Sequence, residues 1–240
     1  MKRIFDSIRS LLIWTITLPV FTVFGLAILA VAVVHRGPGL DRVVKATCRA
    51  VLFCCGIRLR LTGAENVVPG RQYIIMMNHV NFLDPFVFYA RYPGLARGIE
   101  EERHFRWPLY GPVIRSIGQI PISRSNTPRA MESLARAADL IRAKPGYSIA
   151  IFPEGTRTLD GNLRPFKRGG FHLAMETGLD ILPIVQIGAG KINRKGSRLI
   201  RPGRIDMVIE PAVPVAGLER DSLDELVGRV RAVFLRRLGE

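Results

Sequence analysis

The sequence predicts an α/β domain, a mixed sheet flanked by helices, preceded by an N-terminal hydrophobic, membrane-associated helical segment. Three observations carry this. Short apolar or alternating runs recur between stretches of helical periodicity, as layered α/β domains require. Buried-strand runs such as "YIIMM" and "YSIAIF" stop abruptly at polar loops. Residues 11–34, "LLIWTITLPVFTVFGLAILAVAVV", carry no charge. As one helix that stretch would reach about 36 Å, enough for a hydrocarbon core of about 30 Å.

A cleaved leader is the first alternative for this stretch, because Ala30-Val31-Ala32 resembles a cleavage site. The apolar run is longer than the roughly 7–15 residues of a typical leader core. Lys2, Arg3 and Arg9 precede it, and Arg36, Arg42, Lys45 and Arg49 follow it. Basic flanks prefer the cytoplasmic side. A re-entrant hairpin bent near Pro19 would keep both flanks there, whereas a single span would not. Residues 1–42 are therefore expected to form a membrane anchor, and residues 43–240 one soluble domain with no dividing linker.

Residues 43–55 have partly amphipathic helical spacing, and Gly56 suits a stop. "IRLRLT" at 57–62 alternates like a half-exposed strand, and "GAENVVPG" is a loop. "YIIMM" at 73–77 is a buried strand. Asp84 is expected to cap a helix that starts at Pro85. "IGQIPI" at 117–122 is a short strand. Thr127-Pro128 opens a helix to about Ala143, and "YSIAIF" at 147–152 is a second buried strand. A helix from Phe171 to Thr177 stops at Gly178. "DILPIVQIG" is a strand that carries a proline, and "RIDMVI" at 204–209 alternates. Ser222-x-x-Glu225 opens the final helix.

The formal charge is +15, from 35 basic and 20 acidic residues among 240. Such a surplus points to an anionic partner. The aromatic residues do not interleave periodically with the basic ones, which argues against nucleic acid and leaves a phospholipid surface or a phosphorylated substrate. The three cysteines are Cys48, Cys54 and Cys55, an odd count with two adjacent. This is neither a disulfide framework nor a zinc site, and it fits a reducing compartment.

Three strand-end loops hold the candidate chemistry. In the first, His79 follows a buried strand and Asp84 comes five residues later. On one helix the two side chains would point about 140° apart. If His79 lies in the loop, the chain can fold back, and the Asp can orient one ring nitrogen while the other serves as a base. In the second, "FPEGTR" follows the strand ending at Phe152, and Gly155-Thr156 can form a phosphate-binding turn. Arg157, Lys167 and Arg168 add positive charge, arginine being suited to bidentate phosphate contacts. In the third, Gly118–Arg124 delivers Arg124 to the same sheet edge. There is no nucleophile elbow, Walker loop or metal-ligand set.

Together these motifs resemble the glycerophospholipid acyltransferase superfamily, in particular the bacterial 1-acyl-sn-glycerol-3-phosphate acyltransferases. Asn78, His79 and Asp84 match its Asn-His-x4-Asp motif, and Gly118 to Arg124 its glycine-led strand ending in Arg. Phe152 to Arg157 match its FPEGTR motif, followed by Phe166–Gly169. The apolar strand with a proline is at Ile181 to Val185, and "GAEN" at 63–66 resembles the approach to the first motif.

The resemblance implies that His79 takes the proton of an acceptor hydroxyl while Asp84 orients it. It implies that Arg124, Glu154, Gly155, Thr156, Arg157 and Lys167 bind the acceptor. Acyl-CoA or acyl-ACP would be the donor and a lysophospholipid the acceptor, with no cofactor and no metal, and the work would be done at the cytoplasmic face of the inner membrane. Residues 43–240 would then be the acyltransferase domain. A two-helix N-terminal membrane motif is also implied. Other acceptors, such as a lyso-ornithine lipid or glycerol 3-phosphate, remain alternatives. So does a non-catalytic protein that binds anionic lipid. One departure stands out: "GIEEERHFRWPLYG" places Glu100, Glu101 and Glu102 where many relatives carry a lysine, and these acids are expected to face solvent.

Overall fold

A computed structural model describes residues 2–35, 37–124 and 126–239. Arg36, one of the expected basic flanks, lies outside the described residues, as do the side chains of Lys2 and Arg3.

The chain opens with α1 (Lys2–Val34) and α2 (Pro38–Cys54). The helix α1 is continuous and carries Pro19 in its interior. The expected bend near Pro19 is therefore absent; the chain reverses after Val34 instead. Packing explains this, because α1 is held on both sides of the proline. Ile13 and Thr17 are buried before it, and Ile28 and Ala32 after it. Gly37 (φ 152°) leads into α2, with Pro38 in the first turn, where its missing N–H costs nothing.

The stretch 4–34 is the one helix among the described residues long and apolar enough to cross a membrane. Its outer face exposes Ile4, Phe5, Leu11, Leu12, Val23 and Leu26, which suggests membrane association.

The α2 helix is amphipathic: Leu40, Val44, Cys48, Val51 and Leu52 are buried. Its Asp41 is also buried, and pairs with Arg97 at 2.6 and 3.3 Å while accepting from the Tyr147 hydroxyl at 2.8 Å. A division at residue 42 therefore falls inside a helix that belongs to the domain core. Lys45 and Arg49, expected as membrane flanks, donate instead to the carbonyls of Gly94 and Ala90.

The remaining elements are β1 (Ile57–Thr62), β2 (Ile74–Met77), α3 (Asp84–Arg91), β3 (Leu95–Glu101), α4 (Tyr110–Ser116), β4 (Ile120–Ile122), α5 (Thr127–Ala143), β5 (Tyr147–Ile151), α6 (Gly169–Thr177), β6 (Ile181–Ile187), α7 (Ala189–Ile192), β7 (Gly203–Ile209) and α8 (Leu223–Leu238). The seven strands form one sheet in the order β1-β7-β6-β2-β5-β3-β4. All neighbours are parallel except β6 and β7, so the sheet is mixed.

Two apolar layers sandwich this sheet. Ile75 and Met77 of β2 join the layer under α1 to α4, whereas Ile74 and Met76 join the layer under α5, α6 and α8. That alternation follows from the strand's period of two, and burial on both faces explains why β2 reads as an unbroken apolar run. Because β2, β3, β4, β5 and β6 run parallel, their C-terminal ends open on one edge. The three candidate loops leave from that edge.

Candidate active site

The loop after β2 is tied down by side chains from distant strands. Asn78 donates to the Gln186 carbonyl (3.0 Å) and accepts from the Gln186 N–H (2.8 Å), so the loop is stitched to β6. Asn81 accepts from the Leu83 N–H at 2.7 Å and donates to the Ala189 carbonyl at 2.8 Å. The chain therefore turns back between His79 and Asp84.

His79 Nδ1 lies 2.8 Å from Asp84 Oδ2. The same oxygen accepts from the N–H groups of Val80 (2.6 Å) and Asn81 (2.9 Å). An oxygen that already accepts two N–H groups serves as an acceptor for the third. The imidazole thus donates from Nδ1 and keeps its lone pair on Nε2. Asp84 is wholly buried, and the His79 ring stacks on Phe152 with centroids 4.0 Å apart. Asp84 is the first residue of α3 and Leu83 is the N-cap; no side chain caps the helix. The expectation that Asp84 caps α3 is corrected here: its Oδ2 reaches back to the loop, and neither carboxylate oxygen accepts from a helix N–H.

Glu154, expected at the acceptor site, is bonded on both oxygens to backbone N–H groups. Its Oε1 accepts from the His79 N–H (2.6 Å) and its Oε2 from the Arg164 N–H (3.0 Å). The Thr158 N–H donates to the His79 carbonyl at 2.9 Å. The side chain thus fastens the loop after β5 to the loop that carries His79. Burial drives the Glu154 pKa up to about 7, against the lowering effect of its two backbone donors and with a further push from Asp84.

A cavity of about 360 Å³ opens above these loops, and His79, Arg124, Thr156 and Arg157 line it. Glu154, Gly155 and Lys167 are not among its lining residues. The Gly155 N–H is used within its turn, donating to the Phe152 carbonyl at 3.0 Å, so it does not point outward as expected. Gly155 has φ 68°, and an added Cβ would sit 2.7 Å from Lys167 Cε. The left-handed φ is what favours glycine there, since the exposed Lys167 stem could swing away from an added Cβ. Arg168, also expected near the grip, pairs with Asp224 at 2.7 Å.

Glu100 and Glu101 line the cavity, contrary to the expectation that all three acids face solvent; only Glu102 is exposed. Glu101 is shared between Arg103 (2.9 Å) and Arg124 (3.3 Å), and Glu100 bonds His104. Partners in the following turn and in the loop after β4 hold the two acids inward.

Sequence reasoning missed Lys195. It lines the cavity, and its Nζ donates to Thr156 Oγ1 (3.1 Å) and to the Arg157 carbonyl (3.2 Å). The signal was the cation-rich "KINRKGSR" at 191–198, which follows a strand ending on the same edge. A second, narrower cavity of about 70 Å³ adjoins the first, with Phe21, Phe86, Tyr110 and Phe152 lining both. Ile28, Val44, Met77 and Ile114 make its far wall apolar.

Comparison with known proteins agrees with this geometry. A family model described as Acyltransferase matches residues 58–187. The 1-acyl-sn-glycerol-3-phosphate acyltransferase of Limnanthes douglasii is 31% identical over 188 residues, which are 78% of this chain and 66% of that protein. The chain thus spans just under two thirds of that relative. The alpha form of that enzyme from Bos taurus is 31% identical over 214 residues, 88% of this chain and 74% of its own. In fold, the chain superposes on the 1-acyl-sn-glycerophosphate (LPA) acyltransferase PlsC of Thermotoga maritima with a TM-score of 0.84 at 21% identity, covering 99% of this chain and 96% of the other.

Proposed function

The chain belongs to the glycerophospholipid acyltransferase family, and from that premise we propose that it transfers a fatty acyl group from acyl-CoA or acyl-ACP to the free hydroxyl of 1-acyl-sn-glycerol 3-phosphate, giving phosphatidic acid. The observation that carries this reading is the His79–Asp84 pair, with Nε2 left open at a cavity that is cationic on one side and apolar on the other.

In this reading His79 Nε2 takes the proton of the acceptor hydroxyl as its oxygen attacks the thioester carbonyl. A tetrahedral oxyanion forms, with Asp84 balancing the imidazolium beside it. The oxyanion collapses, the C–S bond breaks, and the leaving thiolate receives the proton from His79. Substrate and thioester supply every atom of the exchange. The cations at the cavity hold the acceptor phosphate, and the narrow apolar cavity receives part of an acyl chain. The apolar helix α1 acts as the anchor and the rest of the chain as the catalytic domain, at the cytoplasmic face of the inner membrane. There a lysolipid arrives from the bilayer and a soluble thioester from the cytosol.

A second reading has an observation of its own. Glu100 and Glu101 line the cavity, which favours an acceptor bearing a positive group, such as a lyso-ornithine lipid. The test is acyl transfer from labelled acyl-CoA and acyl-ACP to a panel of lysolipids, in membranes holding the wild-type chain or its His79→Ala variant. Transfer to the phosphate-bearing acceptor that vanishes in the variant is expected. Equal transfer in both samples would overturn the reading, and preference for the lyso-ornithine lipid would establish the second.

A further inference from the structure

Of the two arginines that the family resemblance assigns to the acceptor, one is already committed. Arg124 pairs with Glu101, which Arg103 also contacts. The cavity-lining cations without a carboxylate partner among the described residues are Arg157 and Lys195. Two hydrogen bonds hold Lys195 against the FPEGTR loop, and an ammonium has three N–H donors. One donor therefore remains for a ligand. A phosphomonoester carries about −1.5 to −2 charges near neutral pH, which Arg157 and Lys195 together would balance.

The segment that carries Lys195 is bonded to α1. One face of α1 turns polar groups toward the domain: Asp6, Ser10, Trp14 and Thr17 follow helical spacing. Ser10 Oγ exchanges two hydrogen bonds with the backbone of Ile200, at 3.1 and 3.0 Å. Trp14 Nε1 donates to the Arg198 carbonyl at 2.9 Å, and Arg201 pairs with Asp6 at 3.1 Å. Asn193, buried, donates to the carbonyls of Ser197 and Leu199 at 3.0 and 2.8 Å and closes the loop on itself. The segment 193–201 is thus clasped between α1 and the site.

We infer that Lys195 is an acceptor-phosphate ligand that acts with Arg157, and that the polar stripe of α1 is the positioning element that holds it in the cavity. This deepens the proposed acyl transfer and rests on it. The anchoring helix then has a part in substrate recognition through Lys195, separate from its contact with lipid.

The test combines binding with kinetics on the full chain in detergent. Binding of 1-acyl-sn-glycerol 3-phosphate is compared with binding of the dephosphorylated 1-acylglycerol. The wild type is expected to prefer the phosphorylated form, and Lys195→Met to lose at least about tenfold of that preference, the size of one charge-assisted hydrogen bond. Lys195→Arg should recover part of it. In turnover, Lys195→Met should raise the acceptor KM by a similar factor with kcat and the donor KM within about twofold. The pair Ser10→Ala with Trp14→Phe should raise the acceptor KM in the same direction, leaving kcat nearly unchanged. A wild type without preference for the phosphate would sink the proposed acceptor itself. A wild type with that preference and an unaltered Lys195→Met would overturn the inference alone. A change confined to the donor KM would also overturn it, placing Lys195 at the thioester's phosphates.

Discussion

Replacing Asp84 with Asn probes the proposed base directly. The change keeps size and shape but removes a charge that is wholly buried and that holds His79 Nδ1 at 2.8 Å. At an effective dielectric of about 20, unit charges at this separation attract by roughly 6 kcal/mol. This attraction exists only once His79 has taken the proton, so it stabilises the transition state and not the resting site. At about 1.4 kcal/mol per factor of ten, the full value would be worth about 10⁴ in rate. Relaxation of the loop and water at the cavity reduce it, so a kcat loss of roughly 10²–10⁴ is expected.

Effects on folding should be smaller. Three hydrogen bonds to Oδ2 weaken as the acceptor becomes neutral, but the desolvation penalty of a buried carboxylate disappears as well. The Asp84 Oδ1 position has no protein partner, so an amide NH2 placed there would be left unsatisfied, at about 1–3 kcal/mol. Initial rates with labelled donor give kcat and both KM values, and a denaturation midpoint gives stability. Folded Asp84→Asn protein with kcat within tenfold of wild type would refute the charge argument. So would a loss that appears only in the acceptor KM.

Arg157→Lys keeps the charge but loses the planar fork, so the acceptor KM should rise about tenfold while the donor KM stays put; titration of both substrates checks this. Glu154 gives a pH signature. Its pKa is raised from 4.5 to about 7 in the folded chain, so its contribution is fully present below about pH 4.5 and is lost as pH rises through 7. Wild-type stability should fall by up to roughly 3 kcal/mol across that window, and Glu154→Gln should lack this part of the slope, as denaturant midpoints at several pH values would reveal. Both ends of α1 touch the same domain, through Ser10 and Trp14 near the start and Ile28 and Ala32 near the end. Single cysteines near residues 5 and 38 should therefore both resist an impermeant reagent in intact cells, and labelling near residue 5 would establish a crossing helix.

Much of the fold could be read from local pattern. The strands at 74–77, 147–151 and 181–187 are buried on both faces and stand out as apolar runs. By contrast, β3 and α4 were not foreseen. The strand "LARGIEE" has neither alternation nor an apolar run, because its polar residues are paired: Arg97 with Asp41, Glu101 with two arginines. The His79–Asp84 contact was legible because both residues sit in one short turn. The inward aim of Glu154 and the arrival of Lys195 were not, since each depends on a partner from another strand. Pro19 misled for a related reason: its breaking tendency is overridden by packing on both sides.

The wiring of the His79 turn also sets the order in which the proposed site can be completed. The partners of residues 78 and 79 lie far ahead in the chain, Glu154 at a separation of 75 and Gln186 at 108. A chain emerging from the N-terminus presents α1 first, when none of these partners exists. The helix can reach the bilayer while the turn that follows β2 is still unfastened. Non-local closures of this length are slow and come late. Chains truncated before Gln186 would keep His79 and Asp84 in sequence yet leave Asn78 without its β6 partner, and so should associate with membranes without turning over. Activity would then report on completed synthesis, and membrane attachment on its beginning.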